Sequence, residues 1–251
     1  MIKPKILTRA EINNVVVPPR TESYTPISCK LIFDTVDRLA DEFKIVLAGE
    51  QHLLSSKGKV QRLRFFFSKN GDFTKELVVL NSYDKSLALR AASGTNVYIC
   101  SNGVIVGDIK IYRKHTSDVD LEIEGFIRDC MQDMINQEVL AHDYKEKFSN
   151  LIVDEEFIGT TLGRFFFEFD CLSSTQLNII KAEFKKPSFD YGVDPMSLWA
   201  FYQHVTYALT FETAHDYLDN RTTIQEYFAD YYWKATQSPS YFYDSIEINE
   251  D

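Results

Sequence analysis

The chain has 251 residues, of which 45% are hydrophobic and 14% aromatic, and its formal net charge is −10. A chain of this size and composition can bury a substantial core, which excludes disorder over most of its length. It has no apolar run of the roughly 18 residues that a membrane span needs, and no apolar leader follows Met1. We therefore expect a cytoplasmic protein without membrane contact.

The charge is divided unevenly along the chain. Residues 1–117 contain 18 Lys and Arg against 11 Asp and Glu, whereas residues 118–251 contain 9 against 26. The formal charges of the two parts are therefore +7 and −17. We expect a basic sheet module at 1–117, an acidic helical region at 118–237 that may be counted with it as one continuous domain, and an acidic tail at 238–251. The basic part indicates a polyanionic partner.

Hydrophobic periodicity predicts the order of the elements. A helix should run from a Ser28 cap to about Phe43. Alternating residues and turn formers then predict six strands, at 45–54, 60–68, 76–80, 96–100, 104–106 and 109–112. We expect a short helix at 86–92 and a tight turn at Asn102-Gly103. Helical spacing begins near residue 118 and predicts helices at 118–151, 154–169, 174–184, 195–219 and 222–233.

These elements predict an α+β fold. The N-terminal half should be an antiparallel sheet with one or two helices, and the C-terminal half should be helical.

Basic and aromatic side chains share one predicted face of the sheet. Alternation along the second and last strands places six of them together: Arg62, Arg64, Phe66, Lys110, Tyr112 and Lys114. Cations bind phosphates and aromatic rings stack on bases, so this face predicts a site for nucleic acid, with single-stranded DNA favoured. An ordinary solvated sheet face fits the same residues equally well, and that alternative stays open.

Two predicted connections carry further polar residues. The first contains turn and cap formers: Asn81, Ser82, Asp84, Lys85 and Ser86. Lys85 beside a helix N-terminus would suit a phosphate, but a structural cap is the favoured interpretation. The second is the turn at Asn102 and Gly103, which follows Cys100. No base or cation that could activate this thiol is apparent, so we expect a buried cysteine.

The sequence shows no signature of catalysis or of cofactor binding. The four cysteines and five histidines lack the spacings of common metal sites, and no glycine-rich phosphate loop is present. We therefore predict no metal, no cofactor and no catalytic residues, and an enzyme ranks last among the classes of function.

Several motifs resemble those of one known family. Residues 81–86, Asn-Ser-Tyr-Asp-Lys-Ser, resemble its Asn-Ser-aromatic/His-Asp-Lys/Gly-Ser/Thr motif, and residues 99–103 resemble its Val-Cys-Ser/Thr-Asn-Gly motif. Residues 19–26 are similar to its proline-containing N-terminal segment. Residues 199–206 are similar to its closing helix, which usually has Asn where this chain has Gln203. The family is the phage/plasmid-like group known as domain of unknown function 932.

The resemblance implies a product of phages, prophages or plasmids in the bacterial cytoplasm, and it supplies no catalytic residues. Our first hypothesis is a nucleic-acid-binding accessory protein of phage or plasmid DNA metabolism, of the single-strand binding or annealing type used in recombination. The second is an anti-defence or antirestriction protein whose acidic half binds a host protein, in the manner of a DNA mimic. Self-association and a role in the virion stay open.

Overall fold

The computed structural model describes residues 6–22, 24–55, 58–70, 73–97, 102–105, 110–112, 119–136, 138–211 and 216–237. Its elements in chain order are α1 (Arg9–Asn13), α2 (Cys29–Phe43), β1 (Leu47–Leu54), β2 (Val60–Asn70), β3 (Phe73–Ser82), β4 (Leu89–Val97), β5 (Asn102–Ile105), β6 (Lys110–Tyr112), α3 (Val119–Asn136), α4 (Glu138–Ser149), α5 (Glu155–Phe167), α6 (Ser174–Lys185), α7 (Leu198–Leu209) and α8 (Tyr217–Gln237). The predicted α+β fold is confirmed.

The described strands form one antiparallel sheet. Strands β1 to β5 lie side by side in chain order, and β6 pairs with the first residues of β4. The turn between β1 and β2 and the connection between β3 and β4 lie at the same end of this sheet, because Val60 pairs with Ser82. We call residues 58–59 and 83–88 the loop end. The segment at 19–28 packs against it, as described below.

One face of the sheet packs against α2 and α3. Helix α2 begins as predicted, since the Ser28 side chain accepts a hydrogen bond from the Leu31 N–H at 3.1 Å. Leu63, Val79 and Ala91 lie opposite one another on neighbouring strands and are buried in this core. The helices contribute an apolar stripe to the same core: Ile32, Val36, Leu39, Ile123, Ile127 and Met131.

The other face of the sheet is covered by the C-terminal helices. Val78, Leu80 and Ala92 form a small core with Tyr217 and Leu218 from the first turn of α8. Strand β3 is therefore buried on both faces, which explains the unbroken apolar run at 77–80. The molecule has three layers, with the sheet in the middle.

The C-terminal helices have a core of their own that is rich in aromatic rings. The ring centroid of Phe228 on α8 lies 5.2 Å from those of Phe201 and Tyr202 and 6.0 Å from that of Phe165. Trp199 is buried in the same cluster. This core accounts for much of the aromatic content, because rings supply large apolar areas to helix interfaces.

Strand pairing corrects two local predictions. Residues 86–92 form no helix, because Leu89 begins β4 and the residues from Arg90 to Val97 pair with β3. Asn102 and Gly103 are not a turn but the first residues of β5, paired with Val97 and Asn96. The connection falls on 98–101, outside the described residues. In both places the partner strand decides the conformation over the local turn signal.

The helical half differs from the prediction in its boundaries. The expected helix at 118–151 is two helices, α3 and α4. The sequence predicted one helix at 195–219, but the structure has two helices there. Helix α7 ends at Leu209, and α8 begins at Tyr217. Ser173 caps the N-terminus of α6, and Ser197 caps the N-terminus of α7. Pro195, where the predicted helix began, therefore lies before α7. The predicted acidic tail at 238–251 lies outside the described residues.

Candidate functional site

The two arginines of the predicted nucleic-acid face are buried. Arg62 and Arg64 are each 2% exposed and lie beneath the first turn of α8. The guanidinium carbons of Arg62 and Arg64 lie 4.0 and 5.9 Å from the ring centroid of Tyr217. The expectation that they are displayed to solvent is wrong, because a helix from the other half of the chain covers them.

The two β6 positions of that predicted face, Lys110 and Tyr112, are not brought to the arginines. Strand β6 is separated from β2 by β3 and β4. In the pairing of β6 with β4, Lys110 lies opposite Ala91 and Tyr112 lies opposite Leu89. Ala91 and Leu89 belong to the core that packs against α2 and α3. These positions are on the face opposite to Arg62, so the predicted shared face is wrong. Phe66 does stay beside Arg64, and Lys114 lies outside the described residues.

Arg64 is held by a buried ion pair. Its Nε donates a hydrogen bond to Glu76 Oε1, and its Nη1 donates to Gln51 Oε1 at 3.1 Å. Burial would lower the pKa of Arg64, but the Glu76 carboxylate outweighs that effect and the pKa is raised. The guanidinium also lies 5.0 Å from the ring centroid of Phe66. Arg64 is therefore a well-partnered residue of the interface between the sheet and α8.

Arg62 has far fewer partners. Its Nη2 donates to the Thr210 carbonyl oxygen at 3.2 Å, whereas Nε and Nη1 have no acceptor in the described part of the chain. Burial lowers the pKa of Arg62 to about 10, and the nearby charges of Arg64 and Arg221 act in the same direction. A buried guanidinium with one hydrogen bond opposes folding, because desolvation of the charge is poorly compensated.

The motif at 81–86 fastens the 19–28 segment to the sheet. Asn81 Nδ2 donates to the Ile27 carbonyl oxygen at 2.9 Å, and the Tyr24 hydroxyl donates to the Ser82 carbonyl oxygen at 3.0 Å. The Ser82 hydroxyl donates to the Leu87 carbonyl oxygen at 2.9 Å and closes the loop. Asn81 and Ser82 are buried. Their polar atoms therefore serve the fold of the loop.

A tyrosine and a cysteine complete this attachment. The Tyr83 hydroxyl accepts a hydrogen bond from the Cys29 N–H at 3.0 Å, where α2 begins. Both side chains are buried, and burial raises the pKa of the Cys29 thiol. The thiol is therefore held protonated and unreactive at neutral pH.

The tip of the motif faces solvent. Asp84 Oδ1 accepts a hydrogen bond from the Ser86 N–H at 3.0 Å, and hydrogen bonding to Ser86 lowers the pKa of Asp84. Lys85 has a φ of 64°, in the left-handed region that lysine rarely adopts, and its Nζ lies 4.9 Å from the ring centroid of Tyr24. The favoured interpretation of this motif as a helix cap is wrong, and so is the alternative of a phosphate at a helix N-terminus, because a strand follows the loop.

Two more exposed cations, Lys59 and Arg20, belong to segments that contact the Lys85 loop or the Tyr24 ring beneath it. The Lys59 carbonyl oxygen accepts a hydrogen bond from the Tyr83 N–H at 2.8 Å, and Arg20 precedes Thr21, which pairs with Tyr24. In the described ranges, none of these three cations forms an ion pair with a carboxylate. Sequence patterns did not single out Arg20 and Lys59, because Lys59 meets the loop through strand pairing and its hydrogen bond with Tyr83, and Arg20 through the packing of the 19–28 segment.

Described residues of the helical half line two pockets of different character. The larger, of about 540 Å³, lies between the α5–α6 connection and α8 and has a polar, acidic lining: Asp170, Ser173, Gln176, Asp216, Asp219 and Asn220. The smaller, of about 320 Å³, is lined mainly by apolar residues: Pro187, Phe189, Tyr191, Val193, Pro195 and His204. Over the described residues, no group of three His, Cys, Asp or Glu side chains could hold a metal ion.

His204 in the smaller pocket should make stability depend on pH. Its Nδ1 lies 3.9 Å from Glu183 Oε2, too far for a hydrogen bond, and burial lowers its pKa from 6.5 to about 4. Below pH 6.5 the unfolded chain takes up a proton that the folded protein refuses until about pH 4, so stability falls across this window. We expect the loss attributable to His204 between pH 7 and pH 5 to be about 2 kcal/mol.

Urea unfolding of the wild type and of His204→Gln at both pH values measures this loss. The variant should lack the His204 contribution, whereas His142→Gln, at an exposed histidine, should keep it. Equal pH dependence in the wild type and His204→Gln would contradict the assignment.

Within the described part of the chain, no helix combines the length and the apolar character needed to cross a bilayer.

Comparison with known proteins gives one family. Neither a curated protein sequence nor a solved structure matches the chain significantly. A family model described as "Domain of unknown function (DUF932)" matches residues 19–148, which is just over half of the chain and includes the segment and motif that build the loop end. The chain therefore belongs to the domain of unknown function 932 family.

Proposed function

We propose that this protein is a nucleic-acid-binding accessory protein of phage or plasmid DNA metabolism, of the single-strand binding or annealing type. The observation that carries the proposal is a group of exposed cations on the loop end and on the 19–28 segment packed against it: Lys59, Lys85 and Arg20. None of the three forms an ion pair among the described residues, although the charge of Lys59 acts on the neighbouring Asp84 carboxylate. Phosphates of a flexible strand are the natural partners of such cations.

Other arginines of the basic half are neutralised within the protein. Arg9 contacts Asp37 at 2.6 Å, and Arg90 contacts Asp219 of α8 at 2.5 Å. Some positive charges of the basic half are therefore paired with carboxylates of the protein itself, and the pair of Arg90 with Asp219 joins the two halves. Within the described residues, the exposed cations Arg20, Lys59 and Lys85 form no such pair and their charge is available to a partner, whereas Arg62 and Arg64 are buried.

Removing two of the loop-end cations should weaken binding of single-stranded DNA. The double variant Lys59→Ala with Lys85→Gly removes both charges, and glycine suits the φ of 64° at position 85. We expect the affinity for a labelled oligonucleotide to fall roughly tenfold at low salt. The slope of log affinity against log salt should fall by about 1.4, at about 0.7 for each lost phosphate contact. Fluorescence anisotropy across a salt series measures both quantities.

A matched control removes the same charge elsewhere. Lys181→Ala with Lys185→Ala changes two exposed lysines of α6 in the acidic half and should leave both quantities near the wild-type values. Binding that is equal in the two double variants would contradict the loop-end site. Absence of wild-type binding even at low salt would contradict the proposed function itself.

A second candidate function is an anti-defence protein that binds a host factor through its acidic half. Three exposed carboxylates of α8, at Asp219, Glu226 and Asp230, lie within an arc of about 40°, and the exposed Asp216 directly precedes the helix. Such a row could mimic DNA phosphates. Two of these carboxylates are already paired within the protein, Asp219 with Arg90 and Asp230 with Lys234. The anti-defence function therefore ranks second.

A further inference from the structure

The interface between the sheet and α8 contains buried donors without acceptors. The Nε and Nη1 atoms of Arg62 have no hydrogen-bond partner among the described residues, and neither has the Tyr217 hydroxyl. Arg62 and Tyr217 are 2% and 0% exposed. The unpartnered atoms are all able to donate, and an acceptor is the group that this interface lacks.

The charges around Arg62 also favour the binding of an anion. Glu76, the carboxylate that acts on Arg62 from the described residues, is already hydrogen bonded to Arg64. The guanidinium of Arg221 lies 4.7 Å from the Tyr217 ring centroid, close to the 4.0 Å of Arg62 on the same ring. Several guanidinium groups around one ring give a cationic environment, and each like charge makes an anion more favourable there.

A purely structural role explains this arrangement poorly. An apolar side chain of similar length would fill the same space without a desolvation penalty, and such replacements are often neutral or stabilising. The contacts that Arg62 does make, one hydrogen bond to Thr210 and stacking on Tyr217, are modest in number for a buried charge.

We propose that Arg62, beneath the first turn of α8, is an anion-binding residue that takes a phosphate group. A phosphate offers several acceptor oxygens and a charge of the right sign, and guanidinium groups bind it strongly. Because Arg62 and Tyr217 are both buried, a bound phosphate displaces Tyr217 from the guanidinium. The group comes either from a free phosphate or from the phosphodiester of a nucleic acid strand. This site is separate from the loop end and does not depend on it.

Thermal unfolding of the full chain tests the proposal. Inorganic phosphate at about 10 mM, compared with chloride at equal ionic strength, should raise the wild-type Tm by roughly 3 °C through ligand linkage. Arg62→Met and, as a second variant, Arg62→Gln should lose this rise. Any shift that remains in the Arg62 variants is the general effect of phosphate on proteins. Arg38→Met, which changes an exposed arginine paired with Glu124, should keep the full rise and so controls for the loss of an arginine.

A parallel arm replaces phosphate with a short single-stranded oligonucleotide. A rise that only the oligonucleotide produces, and that the Arg62 variants lose, supports the site and assigns the phosphate to a strand. Equal shifts in the wild type and both Arg62 variants, or no wild-type shift with either anion, would overturn the proposal. The double variant Lys59→Ala with Lys85→Gly should keep the phosphate shift, so failure of the loop-end site is distinguishable from failure of this one.

Discussion

Replacing Glu76 with alanine is expected to lower the free energy of unfolding by about 4 kcal/mol. Glu76 is 3% exposed, and its carboxylate accepts a hydrogen bond from Arg64 Nε between the sheet and α8. Its removal leaves the Arg64 guanidinium charged and buried beside Arg62, without the carboxylate that holds its pKa high. Urea unfolding at pH 7, followed by circular dichroism, measures the change.

A surface carboxylate in the same kind of pair provides the control. Glu42 accepts hydrogen bonds from Arg128, and 48% of its side chain is exposed. Glu42→Ala should change the free energy of unfolding far less than Glu76→Ala, because water and salt screen exposed pairs. Similar losses in the two variants would show that the Arg64 environment is wetter than the structure indicates.

Replacing Arg62 with methionine is expected to stabilise the protein, in contrast to Glu76→Ala. We expect the free energy of unfolding to rise by about 2 kcal/mol. Methionine keeps most of the apolar stem and removes a charge that makes one hydrogen bond, to the Thr210 carbonyl oxygen. It also relieves repulsion from Arg64 and Arg221, which together with burial depress the pKa of Arg62. The same urea titration measures the gain.

Arg38→Met is the matched control, because Arg38 is half exposed and pairs with Glu124 at the surface. It should change stability by less than about 1 kcal/mol. A destabilised Arg62→Met would mean that stacking on Tyr217 and the Thr210 hydrogen bond outweigh the desolvation of the guanidinium. A stabilised Arg62→Met that has lost its phosphate response would show a residue retained for binding at the expense of stability.

The sequence predicted the parts of the fold that depend on local chemistry. The Ser28 cap and the apolar stripe of α2 specify that helix, and alternation specifies β1 and β2 within a few residues. Local signals failed where a partner strand decides the outcome. Leu89 begins a strand instead of continuing a short helix, and Asn102 pairs with Val97 instead of turning the chain.

The same division applies to the candidate sites. Alternation correctly placed Arg62, Arg64 and Phe66 on one side of β2, and the turn formers at 81–86 do form a loop. Periodicity within a strand reports which residues share a face, but not which layer covers that face. The apolar run at 77–80 was the available signal that β3 is covered on both sides.

The sequence by itself determined the α+β class, the order of most elements, the family and the division of charge. Only the tertiary structure decided that α8 buries the arginine face, that β6 lies away from β2, and that Arg20 and Lys59 join Lys85 at the loop end. The reason is physical. Capping and alternation act between residues close in sequence, whereas burial, ion pairing and the approach of loops depend on contacts between distant segments.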